Sequence, residues 1–487
     1  KAAREYCDEL APKITDLEVR LKRRLLEPPL RGEIENRYGQ QVTNLWESDV
    51  ASFDPVIEGD LIEQSRLSAE YNELLASAKL AFQGDSYNLS EIAKFHESPD
   101  RQTRYDSQSV VWSWFAAYGE RLDAIYDAQV TLRARMAEKL GYADYIALAY
   151  RLRYRIGYGR GDIEQFRDAV RTEVVPLATR LRSHQGQRLG VDRLMYWDEP
   201  LIDPQGNPRP QGDHDWMIKR AAEMFDAMSP QLSRFFHLMH DRGLMDLKVR
   251  NGKAGGGFCT SFARLGIPYI FANFNGTKGD VEVFTHEMGH AFQNYSSRDQ
   301  PLIDYLWPTI EACEIHSMGL EYLTWPHMEK FFGADATRFR QLHLMSAMYF
   351  LPYGVAVDHF QHLVYANPSC TPAERHEMWL EMEATYLPWR DNGDVPYLRK
   401  GGRWQLQRHI YLDPFYYIDY TLAEVCALQF WRAAQADPDD ALNRYIHLCH
   451  RGGEAPFIDL VESAGLESPF APGVLGNMVD HIRVELS

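Results

Sequence analysis

The sequence predicts a mainly α-helical protein with one small β-region. Apolar side chains recur at helical spacing along much of the 487-residue chain, and no internal repeat or clear domain linker interrupts them. One short aromatic segment, Pro268 to Phe274, has the composition and the flanking turn residues of a β-strand. We therefore expect one large helical body, with a small sheet directly before the histidine motif described below.

Two segments show the helical pattern clearly. Residues 121–140 carry apolar side chains at helical spacing and end before Gly141, where a helix C-terminus is expected. A second segment begins at the N-cap Ser229, is followed by proline in the first helical position, and ends before Gly243. Between them, residues 199–215 are rich in Pro, Gly and Asp, which predicts a long loop.

The charge balance excludes several partners. The chain has 52 Lys and Arg against 69 Asp and Glu, a formal net charge of -17. On average such a surface repels phosphate backbones and anionic lipids, so we expect neither a nucleic acid nor a membrane as partner. The net charge does not exclude a local basic cleft. No apolar run is long enough to span a bilayer.

The cysteines indicate a reducing compartment. Six of them are scattered without CxxC spacing, which favours free thiols and a cytoplasmic protein. They are Cys7, Cys259, Cys313, Cys370, Cys426 and Cys449. Whether a leader segment has been removed before Lys1 stays open.

The residues that carry chemistry begin with an HExxH motif. His286 and His290 lie in residues 281–295, which read as one helix, so the i, i+4 spacing puts both imidazoles on one face where they can bind one metal ion. Glu287 follows the first histidine and can act as the base that takes a proton from water. This pattern is typical of zinc peptidases, in which a third protein ligand completes the site.

The third ligand is expected from the next helix, residues 309–324. It carries Glu311, Glu314 and Glu321. Glu314 and Glu321 lie seven residues apart and so share a face, which would let one bind the metal while the other accepts a hydrogen bond from a ligand histidine. Glu311, one turn from Glu314, remains a competitor on these grounds.

Several separated motifs together resemble one family. They are residues 253–290, Glu314 to Ser317 with Glu321, Tyr386 to Trp389, Lys400 to Gly402, and His409 to Trp431. In this order they resemble peptidase family M3, the thimet oligopeptidase/oligoendopeptidase F family, and are most similar to its oligoendopeptidase F and Pz-peptidase branch. The resemblance implies that Glu314 is the third zinc ligand and that Glu321 supports a ligand histidine, with one zinc ion per chain.

The resemblance also implies roles for a second set of residues. Family members carry a histidine and tyrosines that donate hydrogen bonds to the scissile carbonyl, which corresponds here to His409, Tyr417 and Tyr420. An oxyanion requires such donors. Tyr416 is a further candidate for substrate contact, and the choice among the three tyrosines stays open because their spacing from His409 differs by about one residue from the thimet-type branch.

A glycine-rich segment upstream is a candidate for substrate binding. Gly255, Gly256, Gly257 and Phe258 have too little side chain to build a core, and they suit a backbone that approaches a neighbouring strand or ligand closely. We expect this segment to offer main-chain groups to an extended peptide by strand addition.

Two other patterns are interpreted as structural. His359 and His362 form an HxxH pair without a nearby acidic pair of suitable geometry, which favours ordinary helix histidines over a second metal site. The aromatic run from Val110 to Phe115 is interpreted as core.

The family fold is a large neurolysin-like, bilobed helical body with a deep channel that admits short peptides. We therefore expect a zinc oligopeptidase that cleaves internal peptide bonds, organised as a single unit over residues 1–487. Within it, residues 1–250 form a helical N-terminal part, residues 251–431 the zinc-binding core, and residues 432–487 the C-terminal helices. The sequence leaves a homodimer open.

Two rival functions are kept. The first is a zinc carboxypeptidase or dipeptidyl carboxypeptidase on a related helical scaffold. The second is a non-catalytic, zinc-stabilised peptide-binding protein. Glu287 argues against the second, because a structural zinc site needs no base and usually fills all four positions with Cys or His.

Overall fold

The computed structural model describes residue 6 and residues 10–250, 253 and 255–486. The helices are α1 (Ala11–Leu25), α2 (Leu30–Tyr38), α3 (Gln41–Ser52), α4 (Glu58–Ala76), α5 (Arg101–Lys139), α6 (Tyr145–Leu152), α7 (Arg160–Ala169), α8 (Val175–Leu189), α9 (His214–Met228), α10 (Pro230–Asp241), α11 (Gly279–Ser296), α12 (Ile310–Leu323), α13 (Glu329–Phe332), α14 (Ala336–Ala366), α15 (Pro372–Tyr386), α16 (Pro396–Arg399), α17 (Arg408–Leu412), α18 (Tyr417–Ala436), α19 (Pro438–Arg451), α20 (Phe457–Ser463) and α21 (Val474–Glu485). The strands are β1 (Leu80–Phe82), β2 (Asp85–Tyr87), β3 (Met245–Lys248), β4 (Phe258–Phe262) and β5 (Ile267–Phe274).

Both predicted helices are present, and the first is longer than the segment predicted from the sequence. Residues 121–139 form the second half of the 39-residue helix α5, and Leu140 is its C-cap. The helix begins where the Asp100 side chain accepts a hydrogen bond from the amide of Thr103. The aromatic run from Val110 to Phe115 lies in the same helix, and its Val111, Trp112 and Phe115 are buried as predicted. The Ser229 hydroxyl caps α10 by accepting from the Leu232 amide at 3.2 Å.

A three-stranded sheet precedes the histidine motif, in the order β3-β5-β4. Strand β5 confirms the prediction for Pro268 to Phe274 and alternates between buried and half-buried residues. It pairs in parallel with β3 and antiparallel with β4. The sequence did not indicate β3, β4 or the β1–β2 hairpin, since each has at most five residues, too few for a clear period-two pattern.

A tight turn fixes helix α11 to strand β5. The carboxylate of Asp280 accepts hydrogen bonds at 2.8 Å from the amides of both Asn275 and Gly276. Because Asp280 lies in the first turn of α11, these bonds fix the direction in which the helix leaves the sheet. The HExxH residues therefore face a defined side of the sheet.

Helix α12 packs closely on α11 because Gly289 has no side chain. A Cβ atom at Gly289 would lie 2.4 Å from the carbonyl oxygen of His316 on α12, closer than real contacts allow. Helix α18 packs in turn against α12 and α14 and is almost wholly buried. The close approach brings the carboxylates of α12 within reach of the histidines of α11.

One large hydrophobic core runs through the described residues. It contains side chains from Ile57 in the N-terminal part to Ile482 in α21. A second, smaller cluster consists of Val42, Leu45, Trp46 and Tyr305. The five described cysteines are free thiols, whereas Cys7 lies outside the described residues. No helix in the described part of the chain is long and apolar enough to cross a membrane.

Candidate active site

Two histidines of α11 and one glutamate of α12 meet in space. The Nε2 atoms of His286 and His290 each lie 3.3 Å from Oε2 of Glu314. One ligand atom from each of the three residues lies within 4.8 Å of the other two. The residues that the sequence singled out as metal ligands therefore converge, although they come from two helices.

The arrangement fits a tetrahedral zinc ion. Zinc binds histidine nitrogen and carboxylate oxygen at about 2.0–2.2 Å, so neighbouring ligand atoms of a tetrahedral site lie roughly 3.3–3.5 Å apart. The two distances between histidine and Glu314 have this value. The donor set of two imidazoles and one carboxylate also matches that of catalytic zinc sites.

Glu321 and His343 hold His286 in position. Oε1 of Glu321 lies 2.8 Å from Nδ1 of His286, and its Oε2 lies 3.0 Å from Nε2 of His343. The indole N–H of Trp325 donates to Nδ1 of His343 at 3.0 Å. This bond leaves the His343 proton on Nε2, where it is donated to Glu321. His286 then donates through Nδ1 to Glu321 and presents Nε2 to the site.

Glu314, and not Glu311, faces the histidines. The Tyr416 hydroxyl donates to Oε1 of Glu314 at 2.5 Å, and the Ser317 hydroxyl donates to its Oε2 at 2.9 Å. Glu311 is buried elsewhere and accepts a hydrogen bond from the hydroxyl of Tyr158 at 3.0 Å. The geometry thus separates two carboxylates that lie one turn apart on the same helix.

The electrostatics favour a cation at this point. Burial raises the pKa of Glu314, but the neighbouring His290 and His286 outweigh burial and lower the pKa well below its usual value. For Glu321, burial is likewise outweighed by hydrogen bonds from His286 and His343, which lower its pKa to about 2. Both glutamates therefore carry negative charge at neutral pH.

Glu287 has the surroundings of a general base. It is buried, and its Oε2 has no hydrogen-bond partner among the described residues. Burial raises its pKa, although His286 and His290 act in the opposite direction. A Cβ atom on Gly257 would lie 3.4 Å from Oε1 of Glu287, so the glycine-rich segment passes directly beside this carboxylate.

His409 and Tyr420 lie beside Tyr416, the residue that contacts Glu314. The amide nitrogen of Gln407 lies 2.8 Å from Nδ1 of His409 and donates to it, which leaves the His409 proton on Nε2. The hydroxyl of Tyr353 holds the amide of Gln407 in that orientation by donating to its Oε1 at 2.9 Å. Burial lowers the pKa of His409, so the ring is neutral at neutral pH and has one N–H to donate.

The three candidate tyrosines have different contacts. The Tyr420 hydroxyl lies 3.4 Å from Nε2 of His409, and its ring stacks on Tyr416 with centroids 4.9 Å apart. Tyr416 donates to Glu314, as described above. Tyr417 packs its ring against Tyr353, at 5.7 Å between centroids, and its hydroxyl has no hydrogen bond among the described residues.

Comparison with known families identifies the fold and the enzyme class. The sequence profile described as peptidase family M3 matches residues 220–479, and the profile of the M3 N-terminal domain matches residues 1–53. The chain belongs to peptidase family M3. It is therefore a metallopeptidase of a zinc-dependent family, and its substrates are peptides.

Solved structures agree with this assignment over the whole chain. PZ peptidase A bound to an inhibitor has a TM-score of 0.97 and 43% identity, covering 99% of this M3 peptidase and 86% of that chain. A protein from Bacillus anthracis strain Ames, assigned as an oligoendopeptidase F, has a TM-score of 0.92 and 40% identity, covering 99% of this chain and 85% of that chain. Another structure assigned as an oligoendopeptidase F has a TM-score of 0.98 and 47% identity, covering 100% of this chain and 86% of that chain.

These comparisons confirm the predicted family, its oligoendopeptidase F and Pz-peptidase branch, and the mainly helical bilobed fold. No curated protein matches the M3 peptidase.

Sequence reasoning missed several residues of the M3 peptidase site. His343, Gln407 and Tyr353 contact the predicted residues but lie on other segments, and none of them belongs to a recognisable motif. Gln407 lies two residues before His409, which is the one local signal that could have found it.

Proposed function

We propose that this M3 peptidase is a zinc oligoendopeptidase that cleaves internal bonds of short, unstructured peptides. The observation that carries the proposal is the convergence of His286, His290 and Glu314, with the buried carboxylate of Glu287 beside them. In this proposal the three converging residues hold one zinc ion per chain, and residues 251–431 are the catalytic core of a single unit.

A bound zinc ion would act as a Lewis acid that polarises the scissile carbonyl and makes a water molecule more acidic. Glu287 accepts the proton of the attacking water, for which a raised pKa suits it, and then returns the proton to the leaving nitrogen. Glu321 keeps His286 in the tautomer that presents Nε2 to the site. Tyr416 and Ser317 hold the carboxylate of Glu314 in place.

In this proposal His409 and Tyr420 stabilise the oxyanion. His409 is neutral and has its proton on Nε2, and Tyr420 places its hydroxyl beside that nitrogen. Two donors that lie together and are fixed before reaction can bind the negative charge that develops on the carbonyl oxygen. Tyr417 is proposed as a further donor, one that would have to turn its hydroxyl towards the substrate.

The substrate binds as an extended chain along strand β4. This strand is one of the two edges of the sheet and begins at Phe258. Gly255, Gly256 and Gly257 lead into it, and Gly257 lies beside Glu287. The backbone of Gly256 has a φ of +99°, which suits glycine. Hydrogen bonds to an edge strand recognise peptide backbone of any sequence, which fits an enzyme for short peptides.

The decisive test is the fate of blocked peptides. An internally cleaved peptide with an acetylated N-terminus and an amidated C-terminus identifies an endopeptidase, whereas a carboxypeptidase or dipeptidyl carboxypeptidase leaves it intact. Mass spectrometry of the products gives the cleavage positions. Intact blocked peptide, together with cleavage of its free-acid form only, would replace the proposal by the exopeptidase alternative.

The base assignment is tested with Glu287→Gln. The variant should retain zinc, because Glu287 is not one of the converging ligands, and should lose about 10²–10⁴-fold in kcat, the usual contribution of a general base. Zinc content by atomic emission and kcat from a fluorogenic peptide measure the two quantities. Wild-type turnover in this variant would refute the role of Glu287, and zinc-containing wild-type protein without any cleavage would favour the peptide-binding alternative.

A further inference from the structure

All three candidate tyrosines lie at the start of helix α18. Tyr416 is the N-cap of this helix, Tyr417 is its first residue, and Tyr420 lies three residues further on. Their positions therefore depend on where α18 begins and on its direction. Directly before them, Phe415 has a φ of +63°, a left-handed conformation that a bulky residue rarely adopts. Such a conformation persists only where the surrounding contacts hold it.

The contacts of Phe415 hold its side chain and both of its backbone groups. Its ring is fully buried, with its centroid 4.9 Å from that of His362 and 5.5 Å from that of Tyr365. Its amide donates a hydrogen bond to Oε1 of Gln361 at 3.0 Å. Its carbonyl oxygen accepts a hydrogen bond from Nη2 of Arg155 at 2.5 Å. The first three contacts come from α14, and the last comes from the segment between α6 and α7.

Arg155 also contacts α18 beyond the first two tyrosines. The same Nη2 atom lies 3.2 Å from Oδ1 of Asp419, which stands directly before Tyr420. Both side chains are buried, with 0% and 1% of their surfaces exposed. Hydrogen bonds between charged groups are strong, and burial strengthens them further. One guanidinium thus joins the residue before Tyr416 to a residue in the first turn of α18.

A second arginine of the same segment contacts the residue before Phe415. Nε of Arg153 donates to the carbonyl oxygen of Pro414 at 3.1 Å, and its guanidinium lies 5.3 Å from the ring centroid of Tyr416. Between the two arginines, Tyr154 has a φ of +52°. Only three non-glycine residues in the described part of the chain have a positive φ, and two of them lie on the two sides of this contact. Unfavourable backbone on both sides of one contact indicates a functional constraint.

Displacement of the start of α18 would disturb two contacts of the candidate site. The Tyr416 hydroxyl donates to Oε1 of Glu314, and the Tyr420 hydroxyl lies 3.4 Å from Nε2 of His409. A misplacement of about 1 Å can cost roughly 10²-fold in rate where a reacting group must keep one geometry. The rate of cleavage should therefore depend on the residue that fixes this helix start.

We propose that Arg155 is a positioning residue for peptide cleavage, because it fixes the start of α18 and with it the hydroxyls of Tyr416 and Tyr420. Among the described residues it contacts none of the proposed metal ligands, so it acts through the tyrosines. The proposal rests on the proposed peptidase function and deepens it. It links the N-terminal part of the chain to the geometry of the reaction.

The test variant is Arg155→Lys. Lysine keeps the positive charge beside Asp419, but it lacks the planar guanidinium and is shorter, so the hydrogen bond to the carbonyl of Phe415 is weakened. We expect kcat to fall by about 10–100-fold, with KM within about twofold of wild type and with unchanged zinc content. The loss falls on kcat because the tyrosines bind charge that develops only in the transition state. Steady-state kinetics and metal analysis measure these quantities.

Arg375→Lys is the matched control. Arg375 is buried, and its Nη2 donates to the carbonyl of Cys370 at 2.8 Å and to the carboxylate of Asp127 at 2.5 Å. It therefore has the same kinds of partner as Arg155, but they lie on α5 and directly before α15. This variant should lower the melting temperature as Arg155→Lys does and leave kcat unchanged. An equal loss of kcat in both variants would overturn the positioning role.

A double mutant shows whether Arg155 acts through a tyrosine. In Tyr420→Phe the hydroxyl that Arg155 positions is already absent. Adding Arg155→Lys to that variant should therefore lower kcat by a factor about fivefold smaller than in wild type. Two losses that simply multiply would refute the coupling. If Arg155→Lys does not fold, Asp419→Asn weakens the same contact from its other end, and the same loss of kcat without loss of zinc is expected.

A binding measurement tests the tyrosine geometry without turnover. A peptide with a phosphinate in place of the scissile amide imitates the tetrahedral oxyanion. Its Kd should rise by about tenfold or more in Arg155→Lys. The Kd of the ordinary peptide, measured in Glu287→Gln with and without Arg155→Lys, should change by less than about twofold. Equal phosphinate affinity in wild type and Arg155→Lys would overturn the proposal.

The outcomes separate the two proposals. If the wild-type enzyme cleaves the peptide and Arg155→Lys cleaves it equally fast, the positioning role is wrong while the peptidase proposal stands. If the zinc-containing wild-type protein cleaves no peptide, the peptidase proposal fails, and the positioning role fails with it.

Discussion

The chain contains two pairs of helix histidines with opposite outcomes. His286 and His290 on α11 meet the carboxylate of Glu314, which comes from another helix. Among the described residues, His359 and His362 on α14 are not part of any group that could hold a metal ion. Nδ1 of His362 lies 2.9 Å from the guanidinium of Arg167, and Nδ1 of His359 lies 3.0 Å from the hydroxyl of Tyr386.

The difference lies in what the neighbouring helix contributes. Beside His362, the carboxylate of Asp358 is already paired with Arg167 at 2.7 Å, so an arginine takes the place that a metal ion would need. Beside His286 and His290, the approaching side chain is an anion, and none of the described arginines or lysines pairs with it. Helical spacing alone therefore does not make a metal site; the charge of the third partner decides.

The largest effect is expected from the third partner itself. Glu314→Gln removes the negative charge of the proposed third ligand, so zinc content and kcat/KM should both fall to background. The matched control is Glu311→Gln, one turn away on α12. Burial, and then the charge of Asp419, raise the pKa of Glu311 to about 8, so glutamine there changes little charge at pH 7. Zinc retained in Glu314→Gln, or lost in Glu311→Gln, would contradict the comparison.

Substitution of the proposed oxyanion donors Tyr420 and Tyr417 should give the next largest effect. Tyr420→Phe should lower kcat by about 10²–10³-fold without loss of zinc, because it removes one donor beside His409. Tyr417→Phe should cost less, since its hydroxyl lacks a fixed partner among the described residues. Steady-state kinetics and metal analysis of both variants provide the measurement. A larger loss in Tyr417→Phe would exchange the roles of the two tyrosines.

A smaller effect is expected from substitution of Glu321, the hydrogen-bond partner of His286. Glu321→Gln keeps the size of the side chain but weakens its hydrogen bond to His286, so the affinity for zinc should fall by about 10–100-fold. Competition with a chelator of known affinity measures the change. His343→Gln serves as a companion variant, because His343 contacts Glu321 but not His286. Unchanged affinity in Glu321→Gln would mean that His286 is oriented by packing instead.

The second pair of histidines should give the smallest effect on catalysis. His362→Gln should leave zinc content and kcat/KM unchanged. It should lower the melting temperature by a few degrees, because the contacts of His362 with Arg167 and with the Tyr150 hydroxyl, at 2.9 and 3.0 Å, would be lost. Differential scanning calorimetry measures the shift. Loss of zinc in this variant would show that the two pairs are not as different as their surroundings suggest.

Much of the candidate site could be predicted because its signals are local. The i, i+4 spacing of His286 and His290 is a property of one helix, and the flanking turn and strand are visible in the composition of residues 267–280. The family motifs then selected Glu314 and pointed to His409 and Tyr420. The bounds of α11 and α12 differ from the predicted segments by at most two residues at each end.

The remaining contacts could not be predicted because they join distant segments. His343 reaches Glu321 because α12 and α14 both pack against α18, and Tyr353 reaches Gln407 across more than 50 residues of sequence. One cavity beside α14 is lined by four cationic side chains from separate segments, Arg182, Lys278, Arg390 and Arg403. In the sequence each of them looks like an ordinary surface charge in an acidic protein.

The sequence by itself determined where the helices of the site run and which histidine pair carries the HExxH pattern, because hydrogen bonding within a helix depends on neighbours three to four residues away. Only the tertiary structure decided which glutamate faces the histidines, and which histidine pair meets an arginine. Those outcomes depend on how helices pack. At Gly289 the packing distance is set by the absence of a single side chain against the backbone of α12.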